Sequence, residues 1–363
     1  MPHTPLIETS QARPEAAPSA IEAVGVVGAG LMASQLALLF AQNLRVPVKI
    51  SDLSADRVQS ALARIRDRLS RQEAQGRLPR GEAAKIGELI SGTTSAGEFA
   101  GCEAVIEAVF EELPVKQAVF REVEKAVSSK ALLLTNTSSL SVGSIARGLD
   151  HPERVVGFHV FNPVAVLPLL ELVRSPLASD RAIADASALA ARVGKTAVPV
   201  ADSPGFVVNR LLTRLFAEIL REVDGGGDPL AVDRALAPWQ LPMTPLALIG
   251  YIGPVVQLKI CDTLHRAFPD RFPRSTALSS LVASGLTGFL GEDGRTSPEV
   301  TRLLPPPHPV DQHLIRRRVR DALAEETRLM LEEGVVASVE DIDRCMVLGA
   351  NYPAGGLTPL LAR

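Results

Sequence analysis

Aromatic side chains are scarce in this chain, at 4% of 363 residues with one Trp and two Tyr. Proteins that grip single-stranded nucleic acid stack bases on aromatics inside a basic groove. Here Lys plus Arg (38) are offset by Asp plus Glu (41), for a net charge of −3. That balance points neither to nucleic acid nor to an anionic membrane surface. Cysteines are also few: Cys102, Cys261 and Cys345 lie far apart and form no Cys-x-x-Cys pair. A zinc site or disulfide framework is therefore not suggested, and a reducing, cytoplasmic setting fits best. No apolar run reaches the roughly 18 residues of a membrane-spanning helix, so no membrane insertion is expected. The first twenty residues lack a basic start and an apolar core, and read as a disordered tail rather than a signal peptide. What the chain has in quantity is apolar residues, 46% of the total, enough to bury a core in two or three domains.

Short apolar runs alternate with helical periodicity over the first half. Strands are expected at Ala23–Val27, Val46–Ile50, Ala104–Ala108, Ala131–Thr135 and Arg154–Phe158, and near Pro168–Val173 and Thr196–Val200. A helix from Leu31 to about Asn43 follows the first strand. The pattern predicts an α/β, Rossmann-type, doubly wound and mostly parallel sheet over residues 21–202. Ser203-Pro204 reads as a cap with Pro at the first helical position, opening a helix from Phe206 to Val223. Beyond it the periodicity is helical only. Val232-Asp233-Arg234 leads to Pro242 and Pro245, and Ile342-Asp343-Arg344 leads at nearly the same gap to Pro353 and Gly356. This spacing fits a duplicated helical domain over 203–300 and 301–363, the second copy shortened, or a coincidence between short patterns. Ser284–Pro309 reads as a linker, and Gly225–Gly227 as a flexible helix end.

Gly28-Ala29-Gly30-Leu31-Met32-Ala33 is a G-x-G-x-x-A turn between strand and helix. Gly28 permits the tight turn, Gly30 admits a pyrophosphate, and the small Ala33 lets helix and strand pack closely. Asp52 ends the second strand, where a carboxylate would bind the adenosine ribose and repel a 2′-phosphate, favouring NAD over NADP. Downstream, Ser138, His159, Glu171 and Asn209 fall in or beside segments at strand ends and at the start of the helical region. Oxidising a secondary alcohol needs a proton acceptor, a role His159 suits, with a carboxylate to orient the ring. A Ser hydroxyl and an Asn amide would hold the oxygen. Plainer roles stay open: a core histidine, a cap at Ser138, an edge charge at Glu171, and an Asn209 bonded to its own helix turn.

The chain resembles the (S)-3-hydroxyacyl-CoA dehydrogenase family, in particular the dehydrogenase part of multifunctional fatty-acid oxidation α-chains without their hydratase half. The resemblance rests on GAGLMA from Gly28, EAVFEELPVK from Glu107, NTSSLS from Asn136, GFHVFNPV from Gly157 and SPGFVVNRLL from Ser203. It implies NAD-dependent oxidation of a 3-hydroxyacyl-CoA, with His159 as general base, Glu171 as its partner, and Ser138 and Asn209 on the C3 oxygen. It also implies that Glu111 and Lys116 line the cofactor and that Asn162 shapes the pocket near the nicotinamide. An acyl-CoA is the implied substrate, a separate hydratase or thiolase is a candidate partner, and homo-oligomerisation stays open. Arg64, Arg68 and Arg71 are candidates for CoA phosphate contacts or a solvated helix face. Departures are Ala33 in place of the usual Gly and a segment Leu286–Arg295 without the usual basic run. Two other readings are a non-catalytic NAD- or acyl-CoA-binding subunit and a dehydrogenase of a 3-hydroxy acid free of CoA.

Overall fold

A computed structural model describes residues 20–291 and 293–362; most of the expected N-terminal tail lies outside the described residues. Eight strands form one sheet: β1 (Val24–Val27), β2 (Val48–Ser51), β3 (Ile90–Thr93), β4 (Ala104–Glu107), β5 (Leu132–Thr135), β6 (Val155–Val160), β7 (Leu169–Arg174) and β8 (Thr196–Ala201). Their order is β3-β2-β1-β4-β5-β6-β7-β8. The first six run parallel; β7 is antiparallel to β6 and parallel to β8. The strands are near-continuous apolar runs because both faces are covered. Along β4, Ala104 and Ile106 face one core while Val105 faces the other.

The first six helices are α1 (Leu31–Leu44), α2 (Ala55–Ala74), α3 (Glu82–Glu88), α4 (Leu113–Ala126), α5 (Val142–Ala146) and α6 (Asp180–Arg192). Side-chain caps begin three of them: Ser54 for α2, Ser141 for α5 and Ser179 for α6. The helical region holds α7 (Val208–Asp224), α8 (Pro229–Asp233), α9 (Pro245–Ile252), α10 (Pro254–Ala267), α11 (Thr276–Ala283), α12 (Pro298–Thr301), α13 (Gln312–Glu332), α14 (Val339–Ala350) and α15 (Thr358–Leu361). Among the described residues no single helix is long and apolar enough to cross a membrane. One core runs from the sheet face of Val105, Leu133 and Val198, through α7, to α13 and α14.

Four local expectations change. Strand β3 was not anticipated: Ile-Ser-Gly-Thr has no apolar run, and it pairs only as an edge beside β2. Ser203-Pro204 does not cap a helix; residues 203–207 form a turn, with Gly205 at φ +73° and Phe206 at φ +50°, and α7 starts at Val208. Ser203 Oγ instead accepts from Arg210 Nη1 at 3.1 Å. The triple glycine is a seat rather than a loose end, because a Cβ on Gly226 would stand 2.3 Å from the Pro306 carbonyl oxygen. The 284–309 segment is correspondingly packed down: it carries α12 and buries Phe289 and Val300.

Helices α7 and α13 are joined by a buried ion pair. Arg210 and Glu326 are both fully buried and bonded to each other, with Arg271 Nη1 3.3 Å from the same carboxylate. The Phe268 ring lies 4.7 Å from the Arg210 guanidinium. Removing Glu326 leaves the Arg210 and Arg271 guanidinia to share the single Glu333 carboxylate, 2.7 and 3.1 Å away, and an under-compensated buried charge costs more than the pair is worth. Glu326→Leu should therefore lose about 3–5 kcal/mol in denaturant unfolding, and Arg210→Met/Glu326→Leu should regain most of it.

Candidate active site

Five neighbouring strands present polar groups at their carboxyl ends: Asp52 after β2, Gly28 after β1, Glu107 ending β4, Asn136 after β5 and His159 near the end of β6. Strand order reverses between β1 and β4, the crevice where open α/β sheets bind ligands. Gly28 has φ +110°, and a Cβ there would stand 2.7 Å from the Ala108 carbonyl oxygen, so the turn admits only glycine. Gly30 has open space where a Cβ would be, and α1 begins there with no side-chain cap. Its first N–H groups face an anion site by geometry and dipole. Ala33 is fully buried against the sheet. Asp52 Oδ2 accepts from Ala29 N at 3.1 Å, which fixes the carboxylate beside the turn. Leu31, Leu53 and Phe110 are exposed around it, with Leu53 at 99%, and an adenine base would cover such a surface. The residues present thus fit a dinucleotide.

Beside the turn lies a buried carboxylate–lysine cluster. Lys116 Nζ sits 2.9 Å from Glu107 and 3.2 Å from Glu111. Burial works against the Lys116 charge, but the two carboxylates outweigh it and hold the ammonium above its ordinary range. Burial likewise opposes the Glu111 charge; Lys116, the Thr137 hydroxyl and the Ser138 N–H outweigh it and hold Glu111 below the usual carboxylate range. Glu111 Oε1 accepts from Thr137 Oγ1 (2.7 Å), Ser138 N (2.8 Å) and Ser139 N (3.0 Å). Glu111 and Lys116 therefore shape the loop that carries Ser138.

His159 and Glu171 face each other across the β6–β7 register. Nδ1 of His159 lies 2.6 Å from Glu171 Oε2, and both side chains are buried. A carboxylate there accepts, so the proton is assigned to Nδ1 and the Nε2 lone pair is left free in the neutral ring. Glu171 Oε1 accepts from Val207 N (3.1 Å) and Val208 N (2.9 Å), at the start of α7. The 203–207 turn delivers those two N–H groups, which a helix running straight on from Ser203 would have spent internally. Phe161 and Phe206 flank the imidazole at 4.4 and 5.5 Å between ring centroids. Asn209 Nδ2 donates to the Ser138 carbonyl oxygen at 3.1 Å.

The structure thus gathers Glu111, Lys116, Ser138 and Asn209 in one hydrogen-bonded chain, and His159 with Glu171 in another beside it. Three of the plainer roles do not match the geometry, while His159 is buried and paired as a core histidine also would be. Ser141, not Ser138, caps α5; Glu171 lies on an inner strand; Asn209 bonds across to Ser138. Asn162 stands apart on the α1 side, where its Oδ1 accepts from Gln35 Nε2 at 2.9 Å after the β6 end. The arginines of α2 do not act together. Arg64 turns back to the dinucleotide turn, donating to the Ala29 carbonyl oxygen at 2.6 Å, while Arg71 pairs with Asp67 on its own helix. Glu107, Asn136 and Gln35 were missed. Asn136 Oδ1 accepts from Val160 N at 3.2 Å and ties the β5 loop to β6; only its place in a strand-end polar run could have signalled it. Because the Glu111 carboxyl is held below its ordinary range, its contribution to stability should be full above about pH 4.3 and lost as pH falls through the lowered value. Thermal melts of Glu111→Gln should show a lower Tm than the parent at pH 7, with the gap closing below about pH 4.

Comparison with known proteins places this chain in a family. Residues 23–203 match the model for the 3-hydroxyacyl-CoA dehydrogenase NAD-binding domain, and 205–294 match that for its C-terminal domain. A fatty acid oxidation complex subunit alpha of Pseudomonas putida is 32% identical over 353 residues, covering 92% of this chain and 49% of the relative. The chain spans about half the length of the curated relatives it matches. The structure of (S)-3-hydroxybutyryl-CoA dehydrogenase PaaH1 from Ralstonia eutropha is 31% identical, with TM-score 0.70, over 76% of this chain and 98% of that one. A 3-hydroxybutyryl-CoA dehydrogenase from Escherichia coli K12 shares the fold over 94% of this chain and 91% of that one (TM-score 0.80, 24% identity). On these matches the chain belongs to the 3-hydroxyacyl-CoA dehydrogenase family.

Proposed function

We propose that this chain oxidises the 3-hydroxyl of (S)-3-hydroxyacyl-CoA thioesters to the 3-oxo compounds, with NAD as hydride acceptor and His159 as general base. The observation that carries the reading is the buried His159–Glu171 pair, whose 2.6 Å contact on Nδ1 leaves Nε2 free while the other Glu171 oxygen accepts from Val208 N, the residue before Asn209. Nε2 takes the hydroxyl proton as hydride leaves C3, and Glu171 stabilises the resulting imidazolium. The Ser138 hydroxyl and the second N–H of the Asn209 amide hold the C3 oxygen as its charge changes. Gly28, Gly30, Ala33 and Asp52 would hold the cofactor's pyrophosphate and adenosine end. Glu111, Lys116 and Asn162 would border its nicotinamide end. When bound, NAD supplies the carbon that accepts the hydride.

The same proposal covers organisation. Residues 21–202 form the cofactor domain, 203–300 a first helical copy and 301–363 a shortened second. Supporting the duplication, Asp233 Oδ1 accepts from Leu246 N and Asp343 Oδ1 from Leu357 N, each at 2.7 Å. A reducing, cytoplasmic setting and a separate hydratase or thiolase that supplies or consumes the acyl-CoA complete the reading.

The test is NADH absorbance with acetoacetyl-CoA, a four-carbon substrate chosen because the R. eutropha relative is named for that chain length. Consumption is expected with the thioester and not with free acetoacetate. Loss of NADH with both would favour a CoA-independent dehydrogenase; NADH binding without turnover on any chain length would favour a binding subunit. His159→Ala should lower kcat by about 10²–10⁴-fold and leave NADH affinity unchanged.

A further inference from the structure

Helix α14 lies far along the sequence from the catalytic segments, yet it packs on their joint. Its buried positions, Ile342, Cys345, Met346 and Gly349, follow an i, i+3, i+4, i+7 stripe, so one face is wholly committed to the core. At the end of that stripe, a Cβ on Gly349 would stand 2.5 Å from Leu169 Cδ2 and 3.2 Å from Val208 Cγ2. Leu169 opens β7 and lies two residues before Glu171. Val208 opens α7, and its N–H is one of the two that Glu171 Oε1 accepts. Leu169 is fully buried and Val208 nearly so, and the β-branched Val208 is stiff at χ1, so neither side chain can swing into solvent to make room. A second link ties the neighbouring strand to the approach of α14: Ala201 N, at the end of β8, donates to the Val335 carbonyl oxygen at 2.8 Å, in the loop between α13 and α14. The stripe also feels the site's charge. Burial first, and the Glu171 carboxylate second, hold the Cys345 thiol above its ordinary range.

We propose that α14 positions the His159–Glu171 pair, and that Gly349 is a positioning residue: its missing side chain lets the helix close on Leu169 and Val208. The inference rests on the dehydrogenase reading for its kinetic consequence. A larger residue at 349 pushes on the first residue of β7 and the first residue of α7. Glu171 is held by both elements, so it recedes from Nδ1 of His159. Displacements of about 1 Å in catalytic geometry cost up to about 10²-fold in rate.

The experiment compares Gly349→Val, Gly349→Ala and Gly349→Val/Leu169→Ala, with Leu169→Ala alone as the cavity control. For Gly349→Val, kcat for acetoacetyl-CoA reduction should fall by about 10–100-fold while KM and NADH affinity hold. The pH–rate profile should move toward lower pH, because a receding carboxylate stabilises the imidazolium less. The double variant, with space restored at Leu169, should recover most of kcat. Titration of the His159 imidazole by NMR, assigned by its loss in His159→Ala, should move in the same sense. Equal losses of NADH binding, Tm and kcat, with an unmoved imidazole titration and no recovery in the double variant, would overturn the proposal. If the parent chain turns over no acyl-CoA, the functional reading falls, while the imidazole titration still decides whether α14 governs the pair. If Gly349→Val does not fold, Gly349→Ala carries the same comparison.

Discussion

The Glu171 carboxylate is the interaction on which the rest of the site depends. It is fully buried, and each oxygen has its own work: Oε2 meets His159 Nδ1, and Oε1 accepts two backbone N–H groups where α7 begins. A buried charge survives only when paired and hydrogen-bonded on every side. Meeting that demand joins three elements that are distant in sequence: β6, β7 and α7. The antiparallel turn from β6 to β7 sets the histidine opposite the carboxylate, and the left-handed residues Gly205 and Phe206 bring α7 in end-on. Strand register and helix entry are thus constrained by one side chain.

A second buried network sits on the cofactor side and works in the same way. Lys116 bridges Glu107 at the end of β4 and Glu111 in the following loop, and Glu111 in turn holds three donors from the loop after β5. Here the mutual attraction outweighs the cost of burial, which the directions of the Lys116 and Glu111 shifts both record. The consequence is a β5 loop tied at both backbone groups of one residue: Ser138 is held through its N–H by Glu111 and through its carbonyl oxygen by Asn209. The Glu171 network holds the backbone of Val207 and Val208 just before Asn209, so the Ser138 loop is tied both to the sheet and to the start of the helical region.

Much of this was legible in the residues. Seven of the eight strands, the glycine turn with Asp52, and the four polar residues of the candidate site all carry local signals: apolar runs, glycine at fixed offsets, polar groups at strand ends. What escaped lacks a local signal. Strand β3 is four residues with a glycine and no apolar run, made a strand only by its place on the sheet edge. The Ser203-Pro204 pair obeys the rules of a helix start, but the demand of Glu171 for two N–H groups overrides it. Arg210 and Glu326 are 116 residues apart, and nothing in either neighbourhood announces that they meet. The same holds for Gly226, whose freedom is used to seat a proline segment some eighty residues later rather than to loosen a helix end.

These non-local contacts share a direction: each fastens the helical region to the sheet domain or to itself. Arg210 follows Asn209 directly, so the ion pair that clamps α7 to α13 also clamps the turn of helix carrying the Asn209 amide. Asp202, at the end of β8, accepts from Ser141 Oγ and from the N–H groups of Val142 and Gly143, and so anchors α5 just beyond the Ser138 loop. A helical region that served only as a spacer or an association surface would need none of these ties at the joint. Their concentration around β7, β8 and the first turn of α7 argues that the helices beyond residue 203 are part of how the site is held, with the apolar seat of α14 as the furthest member of the same arrangement.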